Sequence, residues 1–229
     1  MPAPHRSPNR PYSHVALMGD IVESEANPSV PRLHQAFNAA VQQANDRFAA
    51  DIAVPLTITL GDEFQGLCHS LSAGLRVMRH VRHELLSRRV ECRFALGLVR
   101  LESPAPQDRA WNMMGPGLAA TREKLAAKAH PNAYRFHLPD DPVLEQLLEA
   151  IGYSVTLTEL DWTDRQQEVS LAALAHEGRA SQLASELGLA TRTFYKIRSS
   201  ARFDFYESQW RAMTTATGDL DERYRFPVA

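Results

Sequence analysis

The sequence predicts an α+β chain: a split βαβ, or ferredoxin-like, sheet domain followed by an all-α helix-turn-helix domain. Three observations carry this. Strand-like and helix-like hydrophobic periods alternate in the order β-α-β-β-α-β from residue 13 to residue 101. A Gly61-Asp62 turn joins the two middle strands as a hairpin. Beyond Trp162 only helical periods occur, punctuated by Thr163, Gly188 and Thr191.

Residues 13–21 read as a buried strand. Pro31 opens a helix in which Leu33, Phe37, Val41, Ala44 and Phe48 recur at helical spacing. Residues 55–60 alternate Leu56, Ile58 and Leu60 with Thr57 and Thr59, a period-two strand that turns back into 63–68. Ser70 caps a second helix carrying Leu71, Leu75, Met78, Val81 and Leu85, which ends at Arg88-Arg89 where the dipole favours positive charge. Residues 92–101 form the fourth strand. This order places the first strand centrally beside the hairpin, with helices on one face of an antiparallel sheet. A loop over 103–114 precedes a third helix that starts near Gly117 and includes Arg122. A short strand over 133–138 and an amphipathic helix over 142–151 follow, the latter burying Val143, Leu144, Leu147 and Leu148. The expected domains are a proline-rich disordered arm over 1–12, the sheet domain over 13–158 and the helical domain over 159–229.

At 229 residues and 44% hydrophobic composition the chain is large enough for a substantial core. A formal net charge of −2 excludes a generally basic nucleic-acid binder, so any such contact has to be a local patch. The two cysteines, Cys68 and Cys92, sit in strand-like runs and read as buried free thiols in a reducing compartment. There is no apolar signal region and no run of the ~20 apolar residues needed to cross a bilayer, so a soluble cytoplasmic protein without membrane partners is expected. No P-loop, dinucleotide fingerprint, nucleophile elbow or HExxH sequence occurs.

Asp20 closes the apolar run of the first strand, and Asp62 lies in the hairpin turn. Two carboxylates at adjacent strand ends can share a hard divalent cation, and Mg²⁺ completes its shell with water and substrate phosphates. The competing reading is an ordinary Gly-Asp turn. In the helical region, Ala180, Ala184, Leu187, Gly188 and Leu189 fit two helices crossing closely around a turn, a helix-turn-helix or a merely packing αα-hairpin. Arg179, Arg192, Lys196, Arg198 and Arg202 stand there against the single acid Glu186, a patch suited to DNA phosphates. Phe203, Phe205, Tyr206 and Trp210 read as docking residues for a core or a dimer partner. The second helix is basic through Arg76, Arg79, His80, Arg82, His83, Arg88 and Arg89, read either as a solvated face or as a phosphate surface.

With Gly19-Asp20-Ile21-Val22, Gly61-Asp62-Glu63-Phe64-Gln65-Gly66 and the terminal helix-turn-helix in that order, the chain resembles the bacterial SatD family. Its front half is similar, more distantly, to the palm-type nucleotidyl cyclase fold of class III cyclases and GGDEF diguanylate cyclases. That resemblance implies Asp20 and Asp62 as Mg²⁺ or Mn²⁺ ligands, with Ile21 lending a backbone carbonyl. It further implies a purine nucleotide held around Gly61, Glu63 and Phe64, and Arg122 touching its phosphates, a role suited to a guanidinium fork. Residues 93–98 would flank the nucleotide. The chain departs from active cyclases in having Leu118 where they carry an asparagine and Leu60 where diguanylate cyclases carry the first glycine. It also lacks a base-reading lysine and aspartate pair.

These departures point to a degenerate cyclase: a regulator whose palm domain binds metal and nucleotide and is coupled to a DNA-binding helix-turn-helix, working as a homodimer on symmetric operators. An active purine nucleotidyl cyclase or transferase using Asp20 and Asp62 as two-metal ligands is the alternative from the enzyme class. A non-catalytic protein-interaction module is the third reading.

Overall fold

The computed structural model describes residues 11–22, 30–59, 61–127, 129–176 and 178–227. The expected arm falls, up to residue 10, outside the described residues, as does Leu60. An N-terminal mixed sheet with interspersed helices is followed by an all-α region.

Five strands, β1 (His14–Ile21), β2 (Ile52–Ile58), β3 (Glu63–Cys68), β4 (Cys92–Val99) and β5 (Tyr134–His137), lie in the order β2-β3-β1-β4-β5. β1 pairs antiparallel with β3 and β4, whereas β5 adds parallel to β4. α1 (Val30–Arg47) and α2 (Leu71–Ser87) bury Leu33, Phe37, Val77 and Val81 in the same core as Val15, Leu17 and Phe94 of the sheet. The other face is covered too. α3 (Leu118–Ala126) and the loop before it pack Leu125, Ala110 and Met113 over Ala16, Met18 and Ala95. The sheet is therefore neither purely antiparallel nor covered on one face only, and β1 is apolar without alternation because it is buried on both faces. β2 starts at Ile52, before Pro55. As an edge strand with register shifts between Val54 and Thr57 it tolerates a proline that donates no hydrogen bond.

α4 (Pro142–Asp161) is ten residues longer than the pattern predicts. Gly152 does not stop it, because a Cβ there would sit 2.8 Å from Tyr134 Cβ; this glycine lets α4 lie close on β5. Val143 and Leu147 are 68% and 55% exposed rather than buried, while Leu148 is buried as expected. The chain continues through α5 (Asp164–Ala175), α6 (Ala180–Glu186), α7 (Thr191–Ser200) and α8 (Phe203–Tyr224). Ser70 and Thr163 cap α2 and α5 as expected, Thr163 in a capping box with Gln166.

The long α8 returns to the sheet. Its Tyr206, Trp210, Met213 and Leu220 belong to the main core, and Asp221 accepts hydrogen bonds from the Leu71 and Ser72 amides at 2.7 and 2.9 Å, capping α2 from 150 residues away. α5, α6 and α7 enclose a small core of their own around Val169, Leu183, Ala184 and Phe194.

A buried polar hub ties these parts together. Glu159 of α4 takes both Nε and Nη2 of Arg82 on one oxygen, at 2.9 and 2.7 Å. It takes the Tyr134 and Tyr206 hydroxyls on the other, at 2.6 and 2.8 Å. Arg82 also donates to the Cys92 carbonyl at 3.0 Å, and His83 Nε2 lies 3.0 Å from the Tyr206 hydroxyl. Burial, then the charges of Arg79, Arg82 and His80, hold His83 well below the usual histidine range. Burial likewise lowers His14, His80 and His137. A histidine kept neutral in the folded state gains protons on unfolding, so its stabilisation is complete above the unfolded pKa of about 6.5 and is lost as pH falls below it. The melting temperature is accordingly expected to drop between pH 7 and pH 5. His83→Gln should flatten that drop, which thermal melts across the range would read.

Candidate functional site

Asp20 stands next to last on the central strand, opposite Glu63 of β3 on one side and Arg93 of β4 on the other. It is 6% exposed, and Arg93 Nη2 donates to its Oδ2 at 2.6 Å. The neighbouring Ile21, its side chain buried, donates its amide to the Asp62 carbonyl at 2.9 Å, which fastens the hairpin turn to the end of β1. The turn needs Gly61, whose φ of +80° lies in the left-handed region. The Thr59 amide closes the hairpin onto the Glu63 carbonyl at 2.8 Å. Asp20, Asp62 and Glu63 are thus gathered at one end of the sheet.

Phe64 is placed differently from its neighbours in the motif. Its ring is fully buried against Phe37 and Phe94, with centroids at 5.8 and 6.2 Å. The same ring fills the space beside Gly19 that any Cβ would need, so the glycine before Asp20 is a packing requirement.

Arg122 reaches the acidic end from the second face. Its Nη1 lies 2.9 Å from Glu63 Oε1, and its Nη2 donates to Gln65 Oε1 at 2.7 Å. What puts it there is the Gly115-Pro116-Gly117 segment. The Pro116 carbonyl accepts from the Arg100 amide at 3.0 Å, and Gly117, at φ +96°, lies so close to the Leu98 carbonyl that a side chain has no room. Gln65 also donates to the Ala110 carbonyl, and the Ala110 amide donates to Thr57 Oγ1 at 3.1 Å, so the preceding loop is fixed to the hairpin.

Among the described residues no group of three or more His, Cys, Asp or Glu is arranged to hold a metal ion. Two carboxylates with a backbone carbonyl fall below that number, and the donor chemistry of Asp20 and Asp62 is the hard oxygen type that Mg²⁺ and Mn²⁺ take. Sequence reading missed Arg93 and Gln65, the polar partners of Asp20 and Arg122. Both follow from strand register, which a period alone does not give.

In the helical region, α6 and α7 meet at Gly188, with φ +65° and open space around it. The Leu189 amide bonds the Ala184 carbonyl at 2.8 Å. Arg179, Arg192, Lys196 and Arg202 are exposed. Arg198 is half-buried, lies 4.5 Å over the Phe203 ring and pairs with Asp204 at 2.5 Å. Arg192 and Lys196 share one face of α7, while Phe194 on the opposite face is buried. Of the expected docking residues, Phe203, Tyr206 and Trp210 are buried and Phe205 is 52% exposed. Among the described residues no helix is long and apolar enough to cross a membrane.

Residues 14–182 match the SatD family. No curated protein matches the chain. Among solved structures the chain is similar to a bacterial light-regulated adenylyl cyclase, with 14% identity and a TM-score of 0.40 over 54% of this chain and 42% of that one. The chain thus spans less than half the length of that cyclase.

Proposed function

The chain belongs to the SatD family, and we propose that it works as a regulator in which a palm-type, cyclase-like domain binds a purine nucleotide with Mg²⁺ or Mn²⁺. In this reading α6 and α7 are a helix-turn-helix that binds DNA. One observation carries the nucleotide half: the Ile21–Asp62 hydrogen bond fastens an acidic turn to the strand end that bears Asp20, beside a guanidinium, Arg122. Asp20 and Asp62 would hold the cation, Gly61 and Glu63 would lie against the nucleotide, and Arg122 would turn from Glu63 and Gln65 to a phosphate. The cation would neutralise phosphate charge there. The order β2-β3-β1-β4 supports the palm assignment, since it sets β1 centrally beside the hairpin. The exposed basic face of α7 supports phosphate contact by Arg192 and Lys196, with Arg179, Arg198 and Arg202 flanking.

A thermal-shift panel of common nucleotides, with and without Mn²⁺, tests this. Ligand at ~100 times Kd adds about 2.7 kcal/mol, or roughly 5–10 °C for a chain of this size. One metal-dependent shift, lost in Asp20→Ala and Asp62→Ala, is the expected result; a flat panel sinks the nucleotide half. A new product on chromatography would instead make the protein an active cyclase or transferase.

A second copy of the chain is the proposed partner. Val143, Leu147, Tyr153, Leu157 and Leu160 are exposed along one side of α4, over roughly 25 Å of helix. Exposed apolar surface of that extent without intervening charge has the composition of an interface centre. Leu147→Glu with Leu157→Glu is expected to give a monomer where the parent is a dimer, read by light scattering.

A further inference from the structure

The largest cleft in the described structure is not at the acidic strand ends. It has a volume of about 850 Å³ and lies between α2 and α5, with the end of α1 as its third side. That size is typical of sites for small organic molecules. Its walls differ in kind. α5 contributes an apolar strip through Leu171 and Leu174, continued by Phe48 after α1, whereas α2 contributes Arg79 and His80.

The charges are distributed unevenly. Each acid on the wall already has an arginine: Asp164 pairs with Arg89 at 2.7 Å, Glu84 with Arg88 at 3.5 Å, and Glu168 with Arg165. Among the described residues neither Arg47 nor Arg79 forms an ion pair with a carboxylate. Arg79 lies 5.1 Å over the Trp210 ring, and Glu207 and Glu159 act on it only through space. His80 stacks 5.2 Å from Phe48, with its buried Nε2 lacking a hydrogen-bond partner. A half-buried guanidinium without a carboxylate, beside an unsatisfied imidazole nitrogen and an apolar strip, is a receptor for an anion attached to an apolar body.

We propose that this cleft is a second binding site, for a small organic anion with an aromatic or acyl body and one carboxylate or phosphate group. The anionic group would lie against Arg79, Arg47 and His80, and the body along Phe48, Leu171 and Leu174. Because α2 packs on the sheet and α5 opens the α5–α7 core, an occupant touches both, and its binding bears directly on how the helical part is held. The proposal stands independently of the nucleotide site.

The test uses the full chain and 8-anilinonaphthalene-1-sulfonate, whose sulfonate stands for the anionic group. Fluorescence titration should show one saturable site, displaced by 1-naphthoate or 1-naphthyl phosphate and not by uncharged 1-naphthol. The naphthoate and phosphate arms tell which head the site prefers. Arg79→Gln, which leaves an amide over Trp210, should weaken binding at least tenfold. Leu171→Asp changes the apolar wall at a half-buried position outside the main and helical cores, and should weaken it as much. Melting temperatures close to that of the parent confirm both variants folded. Unsaturable binding, equal displacement by 1-naphthol, or indifference to both substitutions would overturn the proposal, since the dye would then be on other apolar surface such as the α4 stripe.

Discussion

Glu159→Ala is expected to lower stability by about 3–5 kcal/mol, the range found when one partner of a buried ion pair is removed. At 2–4 °C per kcal/mol for a domain of this size, the melting temperature should fall by roughly 6–20 °C. The reason lies in what stays behind. Arg82 is 2% exposed, and although burial works against its charge, Glu159 and its hydrogen bonds hold the guanidinium charged far above the ordinary range. Without Glu159 that charge remains inside with only the Cys92 carbonyl to receive it, and the Tyr134 hydroxyl loses its acceptor. Arg82→Met combined with Glu159→Leu should be much less damaging than the sum of the single changes, because no charge is left buried. Strict additivity in a denaturant double-mutant cycle would mean that the two side chains contribute separately. The effect is also not local: the residues around Glu159 come from α2, β5, α4 and α8, so its loss should loosen the sheet and the returning helix in a single transition.

That hub marks the limit of what the sequence discloses. Local signals were sufficient wherever a single element decides its own structure. The apolar run before Asp20, the threonine alternation of β2, the caps Ser70 and Thr163 and the glycine turns at 61 and 188 each reflect an interaction within a few residues. Arg82, Tyr134, Glu159 and Tyr206 meet only after the helices have packed, and each alone reads as an ordinary helix or strand residue. Gly152 shows the same limit, since a glycine in a helical pattern looks like a stop until the strand beneath it is known. β5 joins β4 in parallel through a connection containing α3, and no short-range signal gives that pairing. At the candidate site the acids were legible from their strand ends and turn. Their arginine partners depend on the register of β4 against β1 and on how α3 crosses the second face.

Arg93→Gln separates a cation site from a structural ion pair at Asp20. The Arg93–Asp20 pair is short at 2.6 Å and mostly buried, with side chains 13% and 9% exposed, so removing the guanidinium should destabilise the metal-free protein by about 3 kcal/mol. If Asp20 and Asp62 also receive a divalent cation, the substitution removes a positive charge that repels it, and the cation can replace the lost neutralisation. Added Mn²⁺ should then raise the melting temperature of the variant by more than that of the parent, recovering much of the deficit. Asp20→Asn placed on top of Arg93→Gln should abolish the recovery, because the acceptor of the cation has gone. The glutamine keeps a hydrogen-bonding amide at the position, which limits the change to the loss of charge. Equal, small responses of parent and variant to Mn²⁺ would leave Arg93 and Asp20 as an architectural pair that closes the sheet end.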